Sequence, residues 1–233
     1  MKRSFKKTRA WHVRPLNLLF MNFDRVINFL GKRLQSPLPG RGAHELMKPR
    51  MADGTHFSIK QPAAPQECGA LILFHESEGD VRFPLIQRPT YEGTHSGQIA
   101  LPGGKRANED TDLFDTALRE AGEEVGVDRS QVEIVGSLSK FYVVVSNYEV
   151  LPVIGKMKSK PNFTPDKYEV ESIINAQLSH LADPNYVKEK RMLVRGRVDM
   201  ICPYFDLEDK IVWGATAMML SELAVILQAY QQD

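Results

Sequence analysis

The chain has 233 residues, with 30 Lys and Arg against 29 Asp and Glu, 42% hydrophobic residues and 25% charged residues. Those totals are ordinary for a globular protein of one or two domains, and the length is ample for a packed core. The two cysteines, Cys68 and Cys202, lie far apart without a CxxC spacing, so no disulfide framework or zinc knuckle is expected, and two free thiols in a reducing cytoplasm are. The formal charge of +1 hides an asymmetry. The first 50 residues hold 12 Lys and Arg against 2 Asp and Glu, and the remainder carries −9.

Residues 1–20 read as a basic leader, solvated or disordered. Their apolar part, LNLLF, is too short for a signal-peptide core, and no run in the chain approaches the roughly 18 apolar residues of a membrane span. Residues 21–67 read as a helical extension and linker. Phe23, Val26, Ile27, Leu30 and Leu34 recur at helical spacing, SPLPGRG at 36–42 stops that helix, and 43–67 read as irregular and Pro-rich. Residues 68–233 read as the main domain. GALILFHE and VRFPLIQR around SEGD predict a strand, turn and strand, and SGQIALP (96–102) predicts another strand that ends in a Gly-Gly turn.

Leu113, Ala117, Ala121 and Val125 then repeat every four residues and predict a helix over 111–125. Asp110, Thr111 or Asp112 can cap its start, and Gly126 suits its stop. Strand-like runs follow at 132–145, 148–157, 170–178, 197–205 and 210–214, and a final helix spans 215–232. Strands with one helix in mid-domain and one at the end fit an α+β or mixed α/β sandwich better than a regular βαβ repeat.

The helix at 111–125 holds the densest chemistry. Glu120, Glu123 and Glu124 project from nearly one face, away from the apolar stripe. Like charges at this spacing destabilise a helix by roughly 0.2–0.5 kcal/mol per pair. The macrodipole also disfavours anions near a helix C-terminus. Arg119 adjoins them, and Gly103-Gly104 lie upstream, where a backbone carbonyl can approach a ligand. Two or three carboxylates plus a carbonyl are hard oxygen donors suited to Mg²⁺ or Mn²⁺ beside substrate phosphates.

Gly104, Asp110 and the run Arg119-Glu120-Ala121-Gly122-Glu123-Glu124-Val125-Gly126-Val127 resemble the Nudix box. The family pattern is Gly, five residues, Glu, seven residues, then R-E-U-x-E-E-x-G-U, with U aliphatic. Here Asp110 stands in place of the first Glu, and eight residues separate it from Arg119, which leaves Asp110 or Asp112 as the acidic partner of that arginine. HSGQIALPGGK, TALREAGEEVG, SNYEVLPVIG, Glu169-Val170 and PYF…VWGATAMML extend the resemblance to the coenzyme A diphosphatase-like subgroup over roughly 70–220. That subgroup shares the extra residue in the box. Ile86 and Pro89 stand where it usually carries Thr and Ser, and Glu92-Gly93 replace a common basic residue.

The resemblance implies a Nudix α/β/α sandwich with a mixed sheet, preceded here by the N-terminal helical extension. It implies metal-dependent attack of water on the diphosphate of CoA or a CoA derivative, giving 3′,5′-ADP and 4′-phosphopantetheine. Another nucleoside diphosphate derivative such as ADP-ribose or NADH is the alternative. A non-catalytic nucleotide-binding domain is a further one, set against the retention of all three box glutamates. Expected metal ligands are Glu120, Glu123, Glu124 and the Gly104 carbonyl, for Mg²⁺ or Mn²⁺. Glu124 is the expected base with Glu169 as its rival, and Arg119 orients carboxylates. Arg88, His95 and Gly103 are the expected substrate contacts. The expected partner is a small-molecule nucleoside diphosphate, CoA preferred, with a homodimer left open. Neither nucleic acid nor a membrane segment is expected.

Overall fold

The structure, a computed structural model, describes residues 21–55, 64–93, 95–194 and 196–230. The basic leader and residues 56–63 of the linker therefore lie outside the described residues. α1 (Phe23–Arg33) starts at Asn22, whose side chain caps Arg25, and buries Phe23, Val26, Ile27 and Leu30. Where an irregular stretch is expected, the chain instead forms a short helix α2 (Arg41–His44), a 3₁₀ turn Glu45–Met47 and a two-residue strand β1 (Arg50–Met51). Burial explains the order, because Ala43, His44 and Met47 all face the interior.

The main sheet has eight strands and mixed direction. β2 (Gln66–Ser77) turns back into β3 (Asp80–Gln87) as a hairpin. β3 also pairs with the short β4 (Ile99–Ala100) and with β9 (Ser172–Gln177). On its other side β2 runs parallel to β8 (Tyr148–Lys156) over nine residues. β6 (Glu133–Ser137) and β7 (Phe141–Val143) pair with β8, and β5 (Gly103–Lys105) pairs with β2. The strand expected over 96–102 shrinks to two residues, because His95 and Gly97 take left-handed backbone angles that fold the segment back on Pro89. The expected Gly-Gly turn is strand β5. The run at 132–145 is two strands, interrupted at Leu138–Lys140.

Alternation along β2 separates the two layers. Leu71 and Leu73 pack with Ala117, Ala121 and Val125 of α3 (Leu113–Val125), together with Ile86 and Val153. Ile72 and Phe74 pack the opposite way, with residues of α1 and of α5 (Gly214–Ala229). A strand covered on both faces reads as a continuous apolar run, which is the pattern of GALILF. A short helix α4 (Leu178–Ala182) follows β9 directly. A second, four-stranded sheet joins β1 to β10 (Val187–Val194), β11 (Val198–Leu207) and β12 (Lys210–Trp213). β10 has no apolar periodicity in the sequence, since VKEKRMLV is mostly solvent-facing and takes its conformation from the ladder with β11.

A buried carboxylate ties the elements of the second layer together. Glu222 of α5 is fully buried and accepts the N–H of Gly40 (2.7 Å), the N–H of Ser139 (3.0 Å) and the hydroxyl of Ser139 (2.7 Å). His44 Nε2 lies 3.2 Å from it. Burial pushes its pKa up, but His44, Ser139 and Gly40 outweigh burial, and the net shift is downward. A depressed carboxylate pKa means that the stabilisation is present at neutral pH and is lost as pH falls below the ordinary carboxylate range. Glu222→Ala should therefore destabilise the protein by about 3 kcal/mol, since three donors lose their acceptor. Urea unfolding at pH 7 and at pH 4 checks this, and the deficit should be smaller at pH 4.

Candidate active site

The site is built where α3 crosses β5. Asp112 caps α3 by accepting the N–H groups of Phe114 and Asp115, both at 2.9 Å. Gly126 stops the helix in the left-handed conformation. Small residues let helix and sheet approach closely. A Cβ built at Gly69 would lie 2.5 Å from the Leu113 carbonyl oxygen and 2.8 Å from the Ala117 nitrogen, and one at Gly104 would collide with the Glu120 carboxylate. Gly103, at a φ of 156°, would collide with the Gly69 carbonyl in the same way. Gly103 is thus required by close backbone approach rather than by a turn, and a side chain at Gly104 would push the Glu120 carboxylate aside.

Arg119 is enclosed by acceptors. Asp110 takes its Nε at 2.9 Å and its Nη2 at 3.0 Å, and the Lys105 carbonyl takes Nη2 at 2.9 Å. Glu120 and Glu123 lie 3.0 and 2.9 Å from Nη1. Asp110 also accepts the N–H of Ala107 (2.8 Å) and the hydroxyl of Thr116 (2.9 Å). The Arg119 hydrogen bonds, outweighing burial, hold the Asp110 carboxyl well below the usual carboxylate range. Between the two acidic partners open to Arg119, the extra residue in the box selects Asp110, and Asp112 caps the helix.

Glu120 and Glu124 are the inward carboxylates. Burial is the main cause that raises the Glu120 pKa, and Glu123 and Glu169 add to it. Glu124 has a side chain only 2% exposed, and burial pushes it up to about 7. The Gly103 N–H (2.7 Å) and the Arg88 guanidinium (3.9 Å) oppose that rise, while the charges of Glu120 and Glu169 increase it. Glu123 points outward, 60% exposed, on Arg119. Glu169 sits on a turn tied to the end of α3, where Thr164 and Asp166 donate their N–H groups to the carbonyls of Val125 and Glu124. The Asp166 carboxylate in turn accepts the N–H groups of Tyr168 and Glu169 at 2.8 and 3.0 Å. The sequence reading missed Asp166. Its sequence signal is an Asp in a turn-forming PDKY stretch, whose side chain can accept the N–H groups two and three residues on.

The structure thus brings Glu120, Glu124, Gly103, Gly104 and Arg88 together, while Glu169 acts on the two glutamates through its charge. It turns Glu123 toward Arg119, and His95 Nδ1 toward Gln98 Oε1 at 2.9 Å. Among the described residues, no three His, Cys, Asp or Glu side chains converge closely enough to enclose a metal ion. The donor set still fits a hard divalent cation. Two carboxylates with burial-raised pKa values face each other, and a cation would relieve both burial and repulsion. Glu120 and Glu124 would hold it.

The NUDIX domain model matches residues 66–184, slightly more than half of the chain, and the chain belongs to that family. It is 36% identical over 194 residues to Nudix hydrolase 15, mitochondrial, of Arabidopsis thaliana, with 79% of this chain and 65% of that protein covered. It therefore spans about two thirds of the length of that relative. It is 34% identical over 137 residues to peroxisomal coenzyme A diphosphatase NUDT7 of Mus musculus, covering 56% of this chain and 57% of that one. The fold matches the crystal structure of a Nudix hydrolase from M. smegmatis, RenU, with a TM-score of 0.50 and 14% identity, over 77% of this chain and 93% of that one. Among the described residues, no helix is long and apolar enough to cross a membrane.

The raised pKa of Glu124 has a consequence for stability in metal-free protein. A carboxyl that ionises at about 7 when folded and near 4.5 when unfolded leaves the fold unpenalised below pH 4.5 and progressively penalised up to pH 7 and beyond. Glu124→Gln should therefore stabilise the protein in EDTA at pH 8 by on the order of 2–3 kcal/mol, and by nearly nothing at pH 4.5. Paired urea titrations at the two pH values check this.

Proposed function

We propose that this chain is a divalent-cation-dependent Nudix hydrolase that splits the diphosphate of coenzyme A or a coenzyme A derivative. The products are 3′,5′-ADP and 4′-phosphopantetheine or its acylated form. The observation that carries the reading is the meeting of Glu120 and Glu124 over the Gly103-Gly104 strand, with Arg88 3.9 Å from Glu124. Mg²⁺ or Mn²⁺ at these carboxylates would neutralise phosphate charge. The remaining roles belong to the chain. Arg119, occupied by Asp110, Glu123 and the Lys105 carbonyl, positions the carboxylates and does not contact substrate. Glu124 takes a proton from the attacking water, a role its place beside Glu120 and the Gly103 N–H allows. Glu169, exposed on its turn, is the rival base. Arg88, about one third exposed, binds a non-bridging phosphate oxygen.

The resemblance to the mouse coenzyme A diphosphatase supports coenzyme A as substrate. A second reading, cleavage of ADP-ribose or NADH, is favoured by Ile86. It stands where the coenzyme A subgroup usually carries Thr, and it is buried against α3, where it offers a ligand no polar group. Cys68 and Cys202 are free and buried, and burial pushes both thiols up to about 11, so neither is a reactive thiolate at neutral pH.

The test is hydrolysis of coenzyme A, acetyl-CoA, ADP-ribose and NADH in Mg²⁺ or Mn²⁺, with products identified by mass. The expected result is 3′,5′-ADP from coenzyme A, with Glu124→Gln lowering kcat by about 10²–10⁴-fold. Turnover of ADP-ribose or NADH without coenzyme A selects the second reading. A folded protein that cleaves none of the four rejects hydrolysis of this class.

A further inference from the structure

Tyr168 is 91% exposed, the largest exposure among the described large hydrophobic side chains. A lone exposed aromatic is ordinary, but the backbone beneath this one is fixed. The N–H groups of Thr164 and Asp166 are bonded to the end of α3 at 3.0 and 2.9 Å, the Asp166 carboxylate holds the Tyr168 N–H at 2.8 Å, and Val170 N–H returns to the Asp166 carbonyl at 3.0 Å. Val170 is buried in the α3 layer. The turn is therefore attached to the last turn of the same helix that carries Glu120 and Glu124. On one side of Tyr168 is Glu169, whose charge reaches both of those carboxylates. On the other side is Lys167, exposed and without an ion-pair partner among the described residues. A solvated ring on a fixed backbone, next in the chain to Glu169, offers a planar face to a ligand.

We propose that Tyr168 stacks on the nucleobase of the substrate and so determines its preference for nucleoside diphosphates; this rests on the hydrolase reading above. Base–aromatic stacking tolerates any base, because each presents a π-face. Tyr168 would therefore discriminate nucleoside from non-nucleoside compounds rather than one base from another. The phenolic hydroxyl takes no part in this, and Phe should serve equally.

The experiment is direct binding of 1,N6-ethenoadenosine 5′-monophosphate to the full chain in Mg²⁺, read by fluorescence, with ribose 5-phosphate as competitor. The probe has no diphosphate, so binding is measured without turnover. Tyr168→Ala should weaken the probe by about tenfold, while Tyr168→Phe stays within about twofold of the parent. Ribose 5-phosphate should compete equally well in all three. The inference is overturned if Tyr168→Ala binds the probe like the parent, if it loses ribose 5-phosphate to the same extent, or if the parent does not bind the probe. Probe binding that depends on Tyr168, in a protein that cleaves no diphosphate, would sink the hydrolase reading and keep the stacking. Diphosphate cleavage with a KM indifferent to Tyr168→Ala would do the reverse.

Discussion

The Arg119 guanidinium is gripped at two points by Asp110, a carboxylate buried under a helix cap and saturated with donors. Both ends of the contact matter to the architecture. Asp110 belongs to the loop after β5 and Arg119 to the middle of α3, so the pair ties the glycine strand to the helix that crosses it. A buried ion pair of this kind typically costs 3–5 kcal/mol to break from one side, because the remaining charge stays in place. Its net worth against an apolar pair is small, so its value here lies in position. It sets the height of Glu120 above Gly104 and leaves one guanidinium edge for Glu123 and Glu120.

Two buried glutamates show how surroundings divide structure from chemistry. Glu222 is surrounded by Gly40, His44 and Ser139, and its pKa falls despite burial. Glu124 is comparably buried but has one N–H donor and a guanidinium 3.9 Å away, and it rises to about 7. The difference is the number of donors to the ionised form, weighed against desolvation. Glu222 joins the N-terminal helices, α5 and the break between β6 and β7. Glu124, with fewer donors to its ionised form, is left with burial as the dominant influence, the condition under which a cation is most strongly drawn to it.

Much of the fold was legible from residue pattern. The apolar runs of β2, β3 and β8 and the four-residue repeat of α3 each match the structure, because burial of a strand or a helix stripe demands that period. The misses share a cause. β5 looked like a turn because glycines signal turns, and only the proximity of Gly69, Ala70 and Glu120 shows that they mark close packing. β10 carries four consecutive charged residues, Lys188 to Arg191, and owes its conformation to β11. α2 and β1 are ordered by what they touch, α5 and β11, which are distant in sequence.

The same division runs through the site. The sequence by itself determined that Glu120, Glu123 and Glu124 share a helix face beside Arg119, because helical geometry follows from spacing alone. Only the tertiary structure decided which of them face inward. Glu124 meets the Gly103 N–H, Glu123 turns out to Arg119, and Glu169 arrives from a turn some forty residues away, held there by Asp166. The choice between inward and outward depends on which backbone crosses the helix and how closely. That is a matter of long-range packing, which local spacing does not encode.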